Sequence, residues 1–295
     1  MAPFFMSDFL DYLRSEKRYS EHTLTSYRKD LQQFLEFSGV QSKADLTEVR
    51  SNVVRGWVVE LMEKDFTARS VNRKLSTLRT FFKFLMKEGL VNHNPLKTVK
   101  GPKASKRLPS FAKTEQLDTP NMDGLFTDDF TGVRDRLMFE FLYQTGIRSS
   151  ELVGLTDDRV KAKQIKVIGK RNKERIIPIT SQLERLIQEY KELRKNITIE
   201  TGSFFVLDSG KKLYPKFVYR KINSYLTKAT DLEKRSPHVL RHTFATHMLN
   251  NGAGLEVLKD LLGHANLSAT QVYTHNSFAQ LNSIYSQSHP RGHKT

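Results

Sequence analysis

Apolar positions in the first hundred residues recur three or four apart, the spacing of one helix face. Residues 3–15 carry Phe4, Phe5, Phe9, Tyr12 and Leu13 in that register. Ser20 then caps a longer segment with Leu24, Tyr27, Leu31, Phe34 and Leu35 on one side and Gly39 closing it. Residues 55–64 present Trp57, Val58, Leu61 and Met62, and Ser70 opens a further helix, with Val71, Leu75, Leu78, Phe82 and Leu85 inside and Gly89 at its end. Four or five helices with short connections predict a small helical domain over residues 1–100. Along 91–109 the periodicity fails. Three prolines, one glycine and five lysines or arginines stand there, so residues 101–109 are expected to be a basic linker.

After residue 110 the pattern changes. Weak signals over 110–128 give way to a buried helix at 134–144, ending at Thr145-Gly146, and Arg148 then begins the next helix with Glu151 three residues on. Residues 164–179 alternate apolar and polar and turn at Gly169 to Lys173, a β-hairpin. Helical spacing returns at 187–195 and 217–229. Ser236 and Pro237 read as a hydroxyl cap and a first helical residue. The stripe behind them is Val239, Leu240, Phe244, Met248 and Leu249, and the helix ends at Asn250 to Gly254. A short helix over 255–262 stops at Gly263, Ser268 caps a helical turn carrying Tyr273, and residues 277–285 form an amphipathic tail helix, followed by a charged, disordered end. Such a tail either folds back on its own core or docks on a neighbour. The whole chain, residues 110–295 forming the second domain, is predicted to be mainly α with a small β-sheet.

Charge narrows the class of partner. The 295 residues carry a net charge of +16, with 20 basic against 12 acidic residues up to Arg107 and 28 against 20 beyond it, so each part is +8. An excess shared by both domains points to a polyanion such as nucleic acid, held between two domains on an extended tether that would close around DNA as a clamp. On the first domain, Arg28, Lys29, Arg69, Arg73, Lys74, Arg79 and Lys83 are placed on outer helix faces. On the second, Lys216, Arg220, Lys221 and Lys228 form a candidate DNA-facing cluster. The chain has no cysteine, which excludes disulfides and thiolate catalysis. Its start lacks a basic region before Asp8, and no run has the apolar length of a membrane span, so a cytoplasmic location without membrane contact is expected.

The richest stretch chemically is 236–275. His238 and Arg241 lie one turn apart on one helix, His264 follows a helix stop, and Tyr273 is nine residues further on. An arginine clamp, imidazoles and a phenol suit nucleophilic attack on a phosphodiester. His238 and His242 at i and i+4 lack the intervening glutamate of a zinc site, and no glycine-rich nucleotide loop is present. His242, His247 and His275 are taken as structural or supporting residues.

The strings HVLRHTFATHML, LLGHANLSATQVYTH and TGIRSSELVGL resemble the boxes of tyrosine recombinases (the phage integrase family), and among them the bacterial Xer type. The resemblance runs over nearly the whole chain with the boxes in order. It implies an N-terminal helical, SAM-like core-binding domain and a C-terminal α+β catalytic domain. It also implies a catalytic set of Arg148, Lys170, His238, Arg241, His264 and Tyr273, with Glu151 in support. The common Gly-Lys-Gly of the hairpin tip is Gly169-Lys170-Arg171 here, so Lys173 is an alternative to Lys170. The expected product is a 3′-phosphotyrosyl enzyme, formed without cofactor or metal. The expected partners are a double-stranded recombination site, a homo- or hetero-tetramer with a paralogous recombinase on two duplexes, and a septal DNA translocase. The implied role is resolving chromosome dimers at cell division. The alternatives are an integrase of a mobile element, a type IB topoisomerase acting without a specific site, and an architectural DNA-binding protein.

Overall fold

A computed structural model describes residues 4–104, 110–118, 121–122, 124–169, 173–263 and 275–292. The chain divides into two compact units, Met1–Arg107 and Leu108–Thr295. No described helix is long and apolar enough to cross a membrane.

Among its described residues the first unit is helical: α1 (Phe4–Ser15), α2 (Glu21–Ser38), α3 (Lys43–Glu48), α4 (Ser51–Glu63) and α5 (Ala68–Lys87). The ends follow local chemistry. The Ser20 hydroxyl accepts from the Thr23 amide, and Gly39 takes the left-handed conformation that ends α2. Helix α5 begins earlier than Ser70, because Thr67 is the cap and its hydroxyl accepts from the Ser70 amide at 3.3 Å. Helix α4 likewise starts at Ser51, four residues ahead of the segment expected from residue 55. Phe9, Phe34, Trp57, Leu75, Leu78 and Phe81 make the core.

Lys74 departs from expectation. It is buried, not on an outer face, and its ammonium sits 3.0 Å from the buried carboxylate of Asp30. Asp30 also accepts from Arg73 and from the Thr77 hydroxyl, so the one buried carboxylate of α2 is held by three donors on α5. Arg28, Lys29, Arg69, Arg73 and Lys83 are exposed.

In the second unit, α6 (Phe130–Thr145) is buried along nearly its whole length. Asp129 caps it by accepting from the Gly132 amide at 2.8 Å. Around it lie α7 (Ser149–Val153), α8 (Ser181–Arg194), α9 (Pro215–Ala229), α10 (Pro237–Asn250), α11 (Leu255–Leu262) and α12 (His275–Ser288). The strands β1 (Val160–Lys161), β2 (Gln164–Ile168) and β3 (Glu174–Pro178) form an antiparallel sheet in that order, with Ile165 opposite Ile177 and Val167 opposite Arg175. β2 and β3 are the expected hairpin, and the two-residue β1 is an addition to it.

Helix α10 corrects two expectations. The Ser236 side chain makes no cap hydrogen bond, and Leu249 is exposed; Thr243 and His247 are buried instead. His247 Nε2 donates to the Ala112 carbonyl at 2.9 Å, which leaves Nδ1 to accept from the Tyr143 hydroxyl at 3.0 Å. His247 is therefore structural, as expected.

The chain end differs too. Tyr285 is fully buried and donates to the Gln144 carbonyl at 3.0 Å. His289 and Arg291 are buried as well, not part of a disordered tail. The reason is Glu140, a carboxylate in the middle of α6 whose partner is Arg291 at 3.0 Å.

Candidate active site

The site is built where α6 stops. Gly146, with φ 61°, lets the chain leave α6 in a left-handed turn, and two residues later Arg148 takes the N-cap position of α7. Glu151, the third residue of α7, reaches back so that its Oε2 accepts from the Arg148 amide at 2.8 Å, satisfying a helix-end donor. The other oxygen accepts from the Arg148 guanidinium at 2.9 Å.

Arg241 enters the same corner from α10. Its Nη1 donates to the Gly146 carbonyl at 2.6 Å and its Nη2 to the Leu262 carbonyl, at the end of α11, at 2.7 Å. Helix C-termini concentrate partial negative charge, so a cation is favoured there. Burial lowers Arg241 to about 10, and the positive charge of Arg148 adds to the effect. It stays charged at neutral pH. Arg148, with its side chain 36% exposed, is the wetter of the two, while Arg241 is 9% exposed.

A third arginine completes the corner, and sequence reasoning passed over it. Arg175 on β3 is 5% exposed and pairs with both Glu151 oxygens, at 3.0 and 2.8 Å. Its Nε donates to the Leu261 carbonyl at 2.8 Å. Burial alone would raise the Glu151 carboxyl, but the hydrogen bonds and charge of Arg175, with those of Arg148, bring it below the ordinary carboxylate range. The signal was present in the alternation of 174–178, where Arg175 shares the inward side with Ile177.

His238 stands on the first turn of α10, one turn ahead of Arg241, and is exposed. Lys173 is exposed at the base of the hairpin turn, where the Gly169 amide donates to its carbonyl at 2.7 Å. Lys170, His264 and Tyr273 lie outside the described residues, as do Ser268 and the turn expected after it. The structure thus brings Arg148, Glu151 and Arg241 together, with His238 on the same helix as Arg241. Two guanidiniums partly spent on protein acceptors meet at the same turn, a cationic corner.

Comparison with known proteins identifies the family. The sequence profile of the phage integrase family matches residues 117–280, and that of the phage integrase N-terminal SAM-like domain matches residues 6–89. The tyrosine recombinase XerC of Halalkalibacterium halodurans is 40% identical over 295 residues, covering 97% of both chains. That of Thermodesulfovibrio yellowstonii is 36% identical over 299 residues, covering 97% of this chain and 96% of its own. The fold is shared with a XerH site-specific recombinase bound to palindromic difH substrate (TM-score 0.72, 21% identity, 95% of this chain and 84% of that one). It is shared also with lambda integrase residues 75–356 bound to DNA (TM-score 0.69, 16% identity, 90% and 93%). With both of its units matched and relatives aligned along almost its full length, the chain belongs to the phage integrase family, among the Xer-type tyrosine recombinases.

Proposed function

We propose that the chain is a site-specific DNA recombinase that cuts and rejoins strands through a 3′-phosphotyrosyl intermediate and resolves chromosome dimers at cell division. The observation that carries this reading is the joining of Arg148 and Arg241 through the Gly146 turn, which brings two cations to one corner.

In this reading Arg148 and Arg241 bind the non-bridging oxygens of the scissile phosphate and stabilise the charge that grows on them. The Tyr273 phenol oxygen attacks phosphorus as its proton passes to the imidazole of His238, acting as general base. The bond to the 5′ oxygen breaks, and Lys170 protonates the leaving oxygen. His264 donates a hydrogen bond to the phosphate. A 5′ hydroxyl from a second duplex reverses the sequence, so the energy of the broken bond is kept in the ester. The first unit grips one side of the duplex with its exposed Arg28, Lys29, Arg69 and Lys83. Four protomers, alike or paired with a paralogue, act on two duplexes in the cytoplasm, under the control of a septal DNA translocase. The XerC relatives at 36% and 40% identity support the chromosomal role.

The test is covalent capture on nicked fragments of the genome that encodes the chain. Wild type is expected to be trapped at one recurrent chromosomal sequence, and Tyr273→Phe nowhere. Capture at the ends of a mobile element would make it that element's integrase, and scattered capture without a shared sequence would indicate a topoisomerase. No adduct from wild type would contradict the reading.

A further inference from the structure

Each of the three guanidinium nitrogens of Arg175 is engaged before any phosphate arrives. Both terminal nitrogens are taken by Glu151 and Nε by the Leu261 carbonyl. With the side chain only 6% exposed, it has no face left for DNA. What it does instead follows from its partners. Glu151 holds Arg148 through both backbone and side chain. Leu261 precedes Leu262, whose carbonyl holds Arg241, and Arg241 returns to Gly146, two residues before Arg148. The hydrogen bonds close into a ring: Arg148, Glu151, Arg175, the end of α11, Arg241 and the Gly146 turn. Arg175 is the member that ties the β-hairpin and α11 to the two phosphate-facing arginines.

The space around it supports the same conclusion. A Cβ on Gly263 would stand 3.1–3.4 Å from the Arg175 guanidinium and its stem, and one on Gly169 would stand 3.4 Å from Nη1 and 3.6 Å from Glu151 Oε1. The missing Cβ of Gly263 thus leaves room for the guanidinium, whereas one on Gly169 would make only ordinary contact with it. A planar fork that meets a carboxylate edge-on with two hydrogen bonds sets the plane of that carboxylate, which an ammonium does not.

We infer that Arg175 is a positioning residue for strand cleavage, holding Arg148 and Arg241 in register through the Glu151 carboxylate and the C-terminus of α11. This rests on the recombinase reading for its kinetic consequence, while the ring itself is independent of that reading.

The experiment compares full-length wild type, Arg175→Lys and Arg175→Gln. Without DNA, the arginine Nε–Hε resonances of Arg148 and Arg241 are expected to shift in both variants. With the nicked duplex captured by wild type, the single-turnover rate of adduct formation is expected to fall about 10²-fold in Arg175→Gln, the scale of a misplacement near 1 Å. It falls less in Arg175→Lys, while duplex affinity stays within a few-fold. Urea midpoints establish that each variant is folded; if Arg175→Gln is not, Arg175→Lys decides. Unmoved arginine resonances, an unchanged rate, or a rate loss matched by an equal loss of affinity would overturn the inference. Failure of wild type to form any adduct would contradict the recombinase reading instead, and the resonances would still decide for or against the ring.

Discussion

Arg241 reaches across 95 residues of sequence to donate to the carbonyl of Gly146 at 2.6 Å. The acceptor is a backbone atom in a left-handed turn, so the position of the guanidinium is set by the path of the main chain out of α6. That same path delivers Arg148 two residues later. The geometry of the cationic corner therefore depends on one glycine.

Gly146→Ala tests that dependence. An added Cβ would meet Phe244 at 2.5 Å and Leu262 at 2.9 Å, in a backbone conformation with φ 61°. The conformation costs about 1–2 kcal/mol, and overpacking a further 1–3 kcal/mol, roughly. Urea unfolding is expected to show a loss of that combined size. Stability equal to wild type would mean that the turn relaxes freely.

Arg291 and Glu140 predict that the chain end is structural. Their buried pair, at 3.0 Å, leaves an uncompensated carboxylate inside α6 if the arginine goes. Arg291→Met is expected to cost about 3–5 kcal/mol in denaturant unfolding. A change near zero would show that Glu140 finds another partner or takes up a proton.

His289 predicts an acid-sensitive core. Its ring stacks on Tyr285 at 5.5 Å, contacts Tyr143 and Phe244, and accepts from the Arg291 amide through Nδ1 at 3.0 Å. Burial above all, with the charge of Arg291 adding to it, pushes its value down to about 3. The unfolded chain binds a proton near the ordinary value of about 6.5, so the folded state is favoured fully above that and loses ground as pH falls toward 3. The slope from this group is at most about 1.4 kcal/mol per pH unit. His247, also lowered chiefly by burial, acts in the same sense. Urea midpoints at about pH 7.5 and about pH 5.5 should show wild type weakening more than His289→Phe. Equal losses would exclude His289 as a source.

Much of this fold was legible because its boundaries are local chemistry. Ser20, Gly39, Gly146 and Gly263 mark helix ends by groups that act within a turn, and the hairpin declared itself by alternation. The misses share a cause. Lys74, Arg175 and Arg291 are charged residues at inward positions, and each is tolerated there by a partner distant in sequence: Asp30, Glu151 and Glu140. Periodicity marks the inward side but does not name the partner. Helix α3 was also missed, although the Ser42 hydroxyl and the Asp45 carboxylate cap its first turn reciprocally. Of the candidate site, Arg241 was singled out by its place one turn from His238, and Arg148 by family resemblance. Arg175 required the alternation of β3 to be followed to its inward charge.

The central claim is that Arg148 and Arg241 act on one phosphate during cleavage. Its most direct measurement is the single-turnover rate of covalent adduct formation on a nicked, site-bearing duplex for wild type, Arg148→Ala and Arg241→Ala, with duplex affinity determined in parallel. Each substitution is predicted to slow adduct formation by about 10²–10³-fold while affinity changes by only a few-fold. Adduct formation at the wild-type rate in either variant, or a rate loss accounted for by weaker binding alone, would contradict the claim.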